Sequence, residues 1–246
     1  MLYRTLIAGV AFLVASCTGS SVPAAAPRAM TASPIPASAL RYSTRVGTFR
    51  VQLPDNYISV KDVDPAFYAV FQQRMPNLEI VDVFLTKSDL ERSKTPDLLM
   101  QDQLVQLQIF PGDAPPITDE MWGPLRAQLP AMMSGTTGKA HIRKGIAQAK
   151  ALPQQPGSQL QIKDMAVGDL VVYSNTDESV RWATSASLDM QGGSVPAKTV
   201  IASAARRIGN NIYLVQTARQ VSSEQETLQA VSSLDEWLSR IWASPE

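Results

Sequence analysis

The sequence predicts an α+β fold: an antiparallel sheet in meander order flanked by helices, following a signal peptide and a disordered linker. Three observations carry this. The second half is a series of β-patterned runs separated by turn residues. The chain closes on a capped helix with one apolar stripe. The first forty residues change from an apolar run to a stretch rich in Pro, Ala and Ser, with few charges. A sheet whose helices lie at its ends and faces, with no strand–helix alternation, belongs to the α+β class.

Residues 1–16 read as a signal peptide. One positive charge, Arg4, precedes an unbroken apolar run over residues 6–14, and Ala15 and Ser16 are small. A run of that length is too short to span a bilayer. Residues 18–40 hold Pro23, Pro27, Pro34 and Pro36 with a single charge, Arg28. Such a stretch buries too little apolar surface to offset its ordering entropy, so a mobile, partly polyproline tether is expected. Fully extended, it reaches roughly 70 Å. Residues 41–246 show no second linker of this kind and no internal repeat, and are read as one globular α+β domain.

Within that domain the run Val46-Gly47-Thr48-Phe49-Arg50-Val51-Gln52-Leu53-Pro54 alternates and stops at proline, as a strand does. Residues 80–85 form a second, β-branched strand. Residues 105–109 form a third, in which Val, Leu and Ile alternate cleanly with Gln106 and Gln108 ahead of a turn signal at Pro111-Gly112. Thr118 caps a helix with Asp119 and Glu120 in its first turn. Pro124 and Pro130 predict that it is short or kinked and ends by Gly135. Strands are expected at 169–174, 179–190, 198–208 and 211–220, with turns at Gly192-Gly193 and Gly209-Asn210. Ser223 and Glu226 make a capping box for the last helix. Leu228, Val231, Leu234, Leu238, Ile241 and Trp242 form its predicted apolar stripe.

Composition excludes several functions. Twenty-two basic and twenty-two acidic residues balance, which gives no case for nucleic acid. Loss of residues 1–16 removes Arg4 alone and leaves a formal charge of −1. Cys17 is the only cysteine, so no disulfide or Cys metal site is expected. His141 is the only histidine, which rules out sites needing two imidazoles, and no Gly-x-Ser-x-Gly elbow is present. Gly135-Thr136-Thr137-Gly138-Lys139 has the wrong spacing for a phosphate loop, and Ala140 stands where a hydroxyl would hold magnesium. Asp62, Asp64, Asn175, Asp177 and Glu178 read as turn residues and not as a calcium loop. Trp182, Trp237 and Trp242 are assigned to the core, and Trp122 is the tryptophan expected to be exposed. No cofactor and no metal are expected.

Charge is unevenly placed along the chain. Residues 121–163 carry six basic residues and no acid, whereas residues 55–120 carry twelve acids and five bases. The two blocks either pair with one another or leave a basic loop facing an anionic partner. In the second case Lys139, His141, Arg143 and Lys144 are the candidate partner-binding residues.

Val14-Ala15-Ser16-Cys17 resembles the lipobox of bacterial lipoproteins. The resemblance implies removal of residues 1–16, acylation of Cys17 with diacylglycerol and a further palmitate-type chain, and a stable membrane anchor. Ordinary cleavage after Ala24-Ala25-Ala26 is disfavoured by Pro27. Thr18, where an Asp would favour inner-membrane retention, implies the outer membrane of a Gram-negative bacterium, with the globular domain in the periplasm. The Phe-x-Val-x-Leu-Pro strand end, the meander, and the Gly-Asn hairpin leading into a helix are similar to the PsbP-like fold, whose members mostly serve as binding or assembly subunits. The expectation is therefore a non-enzymatic module that binds or helps assemble another envelope component, an immunity protein against a periplasmic toxin included. The alternative is a periplasmic cell-wall or ester hydrolase with an unrecognised serine or carboxylate site. A deep pocket with convergent polar groups and a shifted carboxylate would favour the alternative.

Overall fold

Eleven strands of three to twelve residues build two sheets in the computed structural model, which describes residues 36, 38–74, 79–93, 103–110, 116–134, 162–190 and 197–245. The smaller sheet joins the two ends of the domain. Strands β1 (Leu40–Thr44) and β2 (Gly47–Val51) form a hairpin across Arg45-Val46, and the last strand, β11 (Ile241–Ser244), pairs with the other edge of β2. Gly47 is required there. Its φ is 147°, and a Cβ would stand 2.2 Å from the Ser244 carbonyl oxygen. The strand expected within 46–54 is β2, and β1 is an added strand before it that begins at Leu40, one residue before the expected domain start.

The larger sheet has eight strands, all paired antiparallel. They are β3 (Tyr57–Ser59), β4 (Glu79–Thr86), β5 (Leu104–Ile109), β6 (Ile162–Val167), β7 (Val171–Asn175), β8 (Ser179–Met190), β9 (Ala197–Ile208) and β10 (Asn211–Val221). Their order is β3-β4-β5-β10-β9-β8-β6, with β7 also on β8. The meander β8-β9-β10 follows the sequence expectation closely. Ile208 pairs with Asn211, so Gly209-Asn210 is a two-residue turn, and Gly209 takes the positive φ of 52° that such turns use.

Helices cover both faces. Between β3 and β4 lie α1 (Val60–Val63) and α2 (Pro65–Arg74); α3 (Lys87–Ser93) follows β4, α4 (Asp119–Ser134) follows β5, and α5 (Glu224–Ser239) follows β10. One core gathers Phe67 and Phe71 of α2, Trp122 of α4 and Leu170 against Val83, Leu85, Leu104, Ile201 and Leu214. On the opposite face, Leu234, Trp237 and Leu238 of α5 and Tyr42, Phe49 and Val51 of the small sheet pack on Phe84, Val105, Leu107 and Val215. Trp237 stacks on Phe84 at 5.6 Å between centroids and meets Tyr57 edge-on at 5.0 Å. The α+β class, an antiparallel sheet flanked by helices, is what the chain adopts.

Three expectations about elements need correction. The helix with two prolines is not short. It runs sixteen residues, and its start is held by the Thr118 carbonyl, which accepts from Met121 and Trp122 N–H. Trp122 is not exposed, since its ring enters the core and its Nε1 donates to the Asp177 carbonyl at 2.9 Å. The buried face of α5 is Ala230, Leu234, Trp237 and Leu238, while Leu228 is 66% exposed. Leu228 lies six residues before Leu234, which at about 100° per residue turns it well off that face. The polar positions of β5, Gln106 and Gln108, are buried as well. Both sheet faces are covered, so all six residues of β5 are buried. The expected strand at 169–174 is β7, and β6 adds a strand the sequence pattern did not suggest. Gly192-Gly193 lies outside the described residues.

Candidate functional site

The sequence-predicted site residues fall largely outside the described part. Cys17, Lys139, His141, Arg143 and Lys144 all do, as does the loop at residues 135–139. Of the basic block, Arg126 is described, and its Nη1 pairs with Asp177 at 2.7 Å, not with the acidic block at 55–120. The carboxylates weighed as calcium ligands have local partners instead. Asp64 Oδ1 accepts from Phe67 N–H at 2.9 Å and caps α2, Glu178 pairs with Arg206 at 3.6 Å, and Thr176 closes a turn with Ser179. Among the described residues no three metal-binding side chains converge. No described helix is long and apolar enough to cross a membrane.

A different cluster emerges where β4 begins. Asp82 is fully buried, within the apolar run Ile80-Val81-Asp82-Val83-Phe84. A bulge between Ile80 and Asp82, opposite β5, re-aims the side chain. Its Oδ2 accepts from Tyr42 Oη at 2.6 Å and Ser59 Oγ at 2.5 Å. Its Oδ1 accepts from Val83 N–H at 2.6 Å and Lys61 N–H at 3.2 Å. Tyr42 belongs to the small sheet, Ser59 ends β3 and caps α1, and Val83 continues β4, so one carboxylate ties three segments together. Burial raises the Asp82 pKa above the usual carboxylate value, against the four donors, which favour the anion. Burial, and then the neighbouring Asp82 charge, drive the Tyr42 phenol strongly upward. Tyr42 and Asp82 are forty residues apart, and only the charge embedded in an apolar run hinted at this site.

Beside the cluster opens a polar groove of about 370 Å³. Its walls are all of β1, Lys61 and Asp62 of α1, Tyr68 and Gln72 of α2, and residues 79–81 of β4. Tyr68 Oη and Gln72 Nε2 both donate to the Ile80 carbonyl, and Gln72 Nε2 also donates to Tyr68 Oη at 2.6 Å. Burial raises the Tyr68 pKa. Lys61 Nζ lies 5.9 Å from the Tyr42 ring centroid and 5.7 Å from that of Tyr68, a spacing suited to cation–π attraction. Asp82 does not line the groove, being sealed behind Tyr42 and Ser59.

A second buried polar group runs through the centre of the sheet. Gln108 Nε2 donates to Gln106 Oε1 at 2.5 Å, and Gln216 Nε2 donates to Ser203 Oγ at 3.3 Å. Gln106 and Gln216 face each other across β5 and β10. Gln106 Nε2 and Gln216 Oε1, a donor and an acceptor, are buried without a partner among the described residues.

No protein-family model matches the chain, and no curated relative matches it either. Solved structures do. The Ran-binding protein Mog1p of Saccharomyces cerevisiae is similar over 83% of this chain and 95% of its own, at 9% identity and a TM-score of 0.38. CyanoP, the cyanobacterial PsbP of Synechocystis, is similar over 94% and 98%, at 13% identity and a TM-score of 0.37. CyanoP carries the name of the family that the element pattern resembles. Likenesses this distant say nothing about partner or activity.

Proposed function

We propose that this chain is an envelope-anchored lipoprotein, a non-enzymatic module that binds or helps assemble another component of the cell envelope. In this reading residues 1–16 are removed, Cys17 carries the lipid, and residues 18–40 tether the domain in the periplasm at the outer membrane. The observation that supports binding over hydrolysis is the state of Asp82. It is a buried carboxylate with a raised pKa, and it touches a serine hydroxyl, as a hydrolase site would require. Yet both of its oxygens are saturated by four donors, and Ser59 is 4% exposed, so neither group meets a substrate. The open groove next to them is lined by strand edges and polar side chains, a surface suited to holding a partner. Lys139, His141, Arg143 and Lys144 are a second proposed contact, through a basic loop.

The test has two arms. Replacing Cys17 by Ser should abolish fatty-acid labelling and release the protein from membranes; unchanged fractionation would refute the anchor. The lipidated protein, used to capture envelope components, should retain a discrete partner that elutes as salt rises, because screening shortens from about 8 Å at 0.15 M to about 3 Å at 1 M. Turnover of ester or peptidoglycan substrates, lost on replacing Ser59 by Ala, would establish the hydrolase reading instead.

A further inference from the structure

We infer that the groove between β1 and the start of β4 is a strand-addition site for an extended, acidic segment of the protein partner, a proposal that rests on the binding reading above. The pattern of lining carries it. A strand that shows a face to a cavity lines it with alternate residues, because successive side chains point to opposite faces. Here all five residues of β1 line the groove, and so do three consecutive residues of β4, 79–81. Both strands therefore present their edges.

Those edges are open among the described residues. The pairing partner of β1 is β2, and its other edge carries no strand. β3 pairs with β4 only at residues 84–86, which leaves the outer edge of residues 79–81 to side chains. Tyr68 and Gln72 occupy the Ile80 carbonyl there, and Tyr68 Oη also reaches that of Val81 at 3.4 Å, so the longer free edge is that of β1. An unpaired strand edge is a template for an added strand, whose backbone supplies the hydrogen bonds. At about 3.3 Å per residue, β1 offers about 17 Å, room for a segment of about five residues.

Charge selects the segment. Glu79 is engaged by Arg45 at 3.4 Å. Arg41 and Lys61 then outnumber Asp62 among the remaining lining charges, and the two tyrosine rings hold the Lys61 ammonium at the wall. An acidic side chain on the added strand meets that ammonium, and a basic one is repelled.

The experiment follows amide hydrogen exchange in the full-length chain. The probe is a short peptide of alternating threonine and valine with one central glutamate, compared with its lysine counterpart. The glutamate peptide should slow exchange of the β1 amides saturably, and bind about fivefold tighter than the lysine peptide. Lys61→Glu should reverse that preference while lowering the melting temperature by only a few degrees, since the side chain is exposed and gives up only its contact with the two rings. Absence of slowing at β1 at millimolar peptide, or equal slowing at the edge strand β7, would overturn the proposal. So would protection, without peptide, of the β1 amides that do not bond to β2, whether rising with protein concentration, which marks a second copy, or independent of it, which marks the chain's own N-terminal segment. A partner captured from envelopes that leaves β1 exchange unaltered would keep the binding reading and remove this one.

Discussion

The two buried polar groups, Asp82 with its donors and the glutamines of the central sheet, solve the same problem to different degrees. Asp82 brings a charge into the interior, and every lone-pair direction it presents is met by a hydroxyl or an amide. The glutamines are neutral, and two of their atoms go without partners although the residues face each other across β5 and β10. The difference follows from cost. An unmet buried charge is penalised far more heavily than an unmet amide, so a fold tolerates loose ends only in the second case. It also follows from position. Asp82 lies where the small sheet, β3 and α1 converge, and its donors come from three separate segments. The glutamines lie within one sheet that is already held by its backbone ladder. Asp82 therefore organises the fold, and the glutamines are accommodated by it.

The largest effect expected from this contrast is that of Asp82→Ala. It leaves two hydroxyls and two backbone amides buried without an acceptor, and breaking a buried charged network of this kind costs about 3–5 kcal/mol. Urea unfolding should show that loss as a lower midpoint. A loss below about 1 kcal/mol would mean that water replaces the carboxylate and that Asp82 is not the pin.

The pH dependence sharpens the comparison next. The Asp82 pKa is raised in the folded state, so between the ordinary value of 3.8 and the raised one the folded chain holds a proton that the unfolded chain has released. Its contribution to stability is then fully present below about pH 3.8 and is lost as pH rises through the folded value. Glu226 behaves oppositely. Hydrogen bonds from Ser222 lower its pKa, so its contribution is present above the ordinary value of 4.5 and is lost as pH falls through the lowered one. Subtracting the stability profile of Asp82→Asn from that of the wild type isolates the Asp82 part, and the difference should fall with rising pH. A flat or rising difference would show that the four donors outweigh burial.

The smallest effect belongs to the glutamines. Replacing both Gln106 and Gln216 by Leu removes the two unpartnered atoms but also the bonds to Gln108 and Ser203, so a loss of about 1–2 kcal/mol is expected. Thermal unfolding of the double variant checks this. A large loss would reveal that the amides bond to something in the folded protein.

The same contrast explains what the sequence could disclose. Periodicity and turn residues are local, so the meander, the Gly209-Asn210 turn and the cap at Ser223 were legible, and the structure bears out the α+β class. The cap itself differs in detail, since Glu226 reaches back to the Ser222 N–H at 2.6 Å while Ser223 Oγ accepts from the Glu226 N–H at 3.2 Å. Layering is not local. Alternation marked β5 as a strand, but α2 and α4 cover the side of the sheet from which Gln106 and Gln108 project, and no residue within β5 announces them. Trp122 was misplaced for a related reason, because the carbonyl that receives its indole, Asp177, lies fifty-five residues away. The Asp82 site needed Tyr42, Ser59 and a bulge, three features from three segments, and the one local sign was a charge within an apolar run.

The central claim, that Asp82 pins the small sheet to the large one through Tyr42, is tested most directly by amide hydrogen exchange in Tyr42→Phe. The ring and its edge-on contact with Phe84, 6.4 Å between centroids, are kept, and only the hydroxyl is lost. A hydrogen bond to a charged group contributes about 1.5–3 kcal/mol, which corresponds to roughly 10- to 100-fold in a local opening equilibrium. The account predicts that the amides of β1 exchange faster by that factor while those of β10 keep their protection. Unchanged exchange in β1, or an equal acceleration in β10, would contradict it.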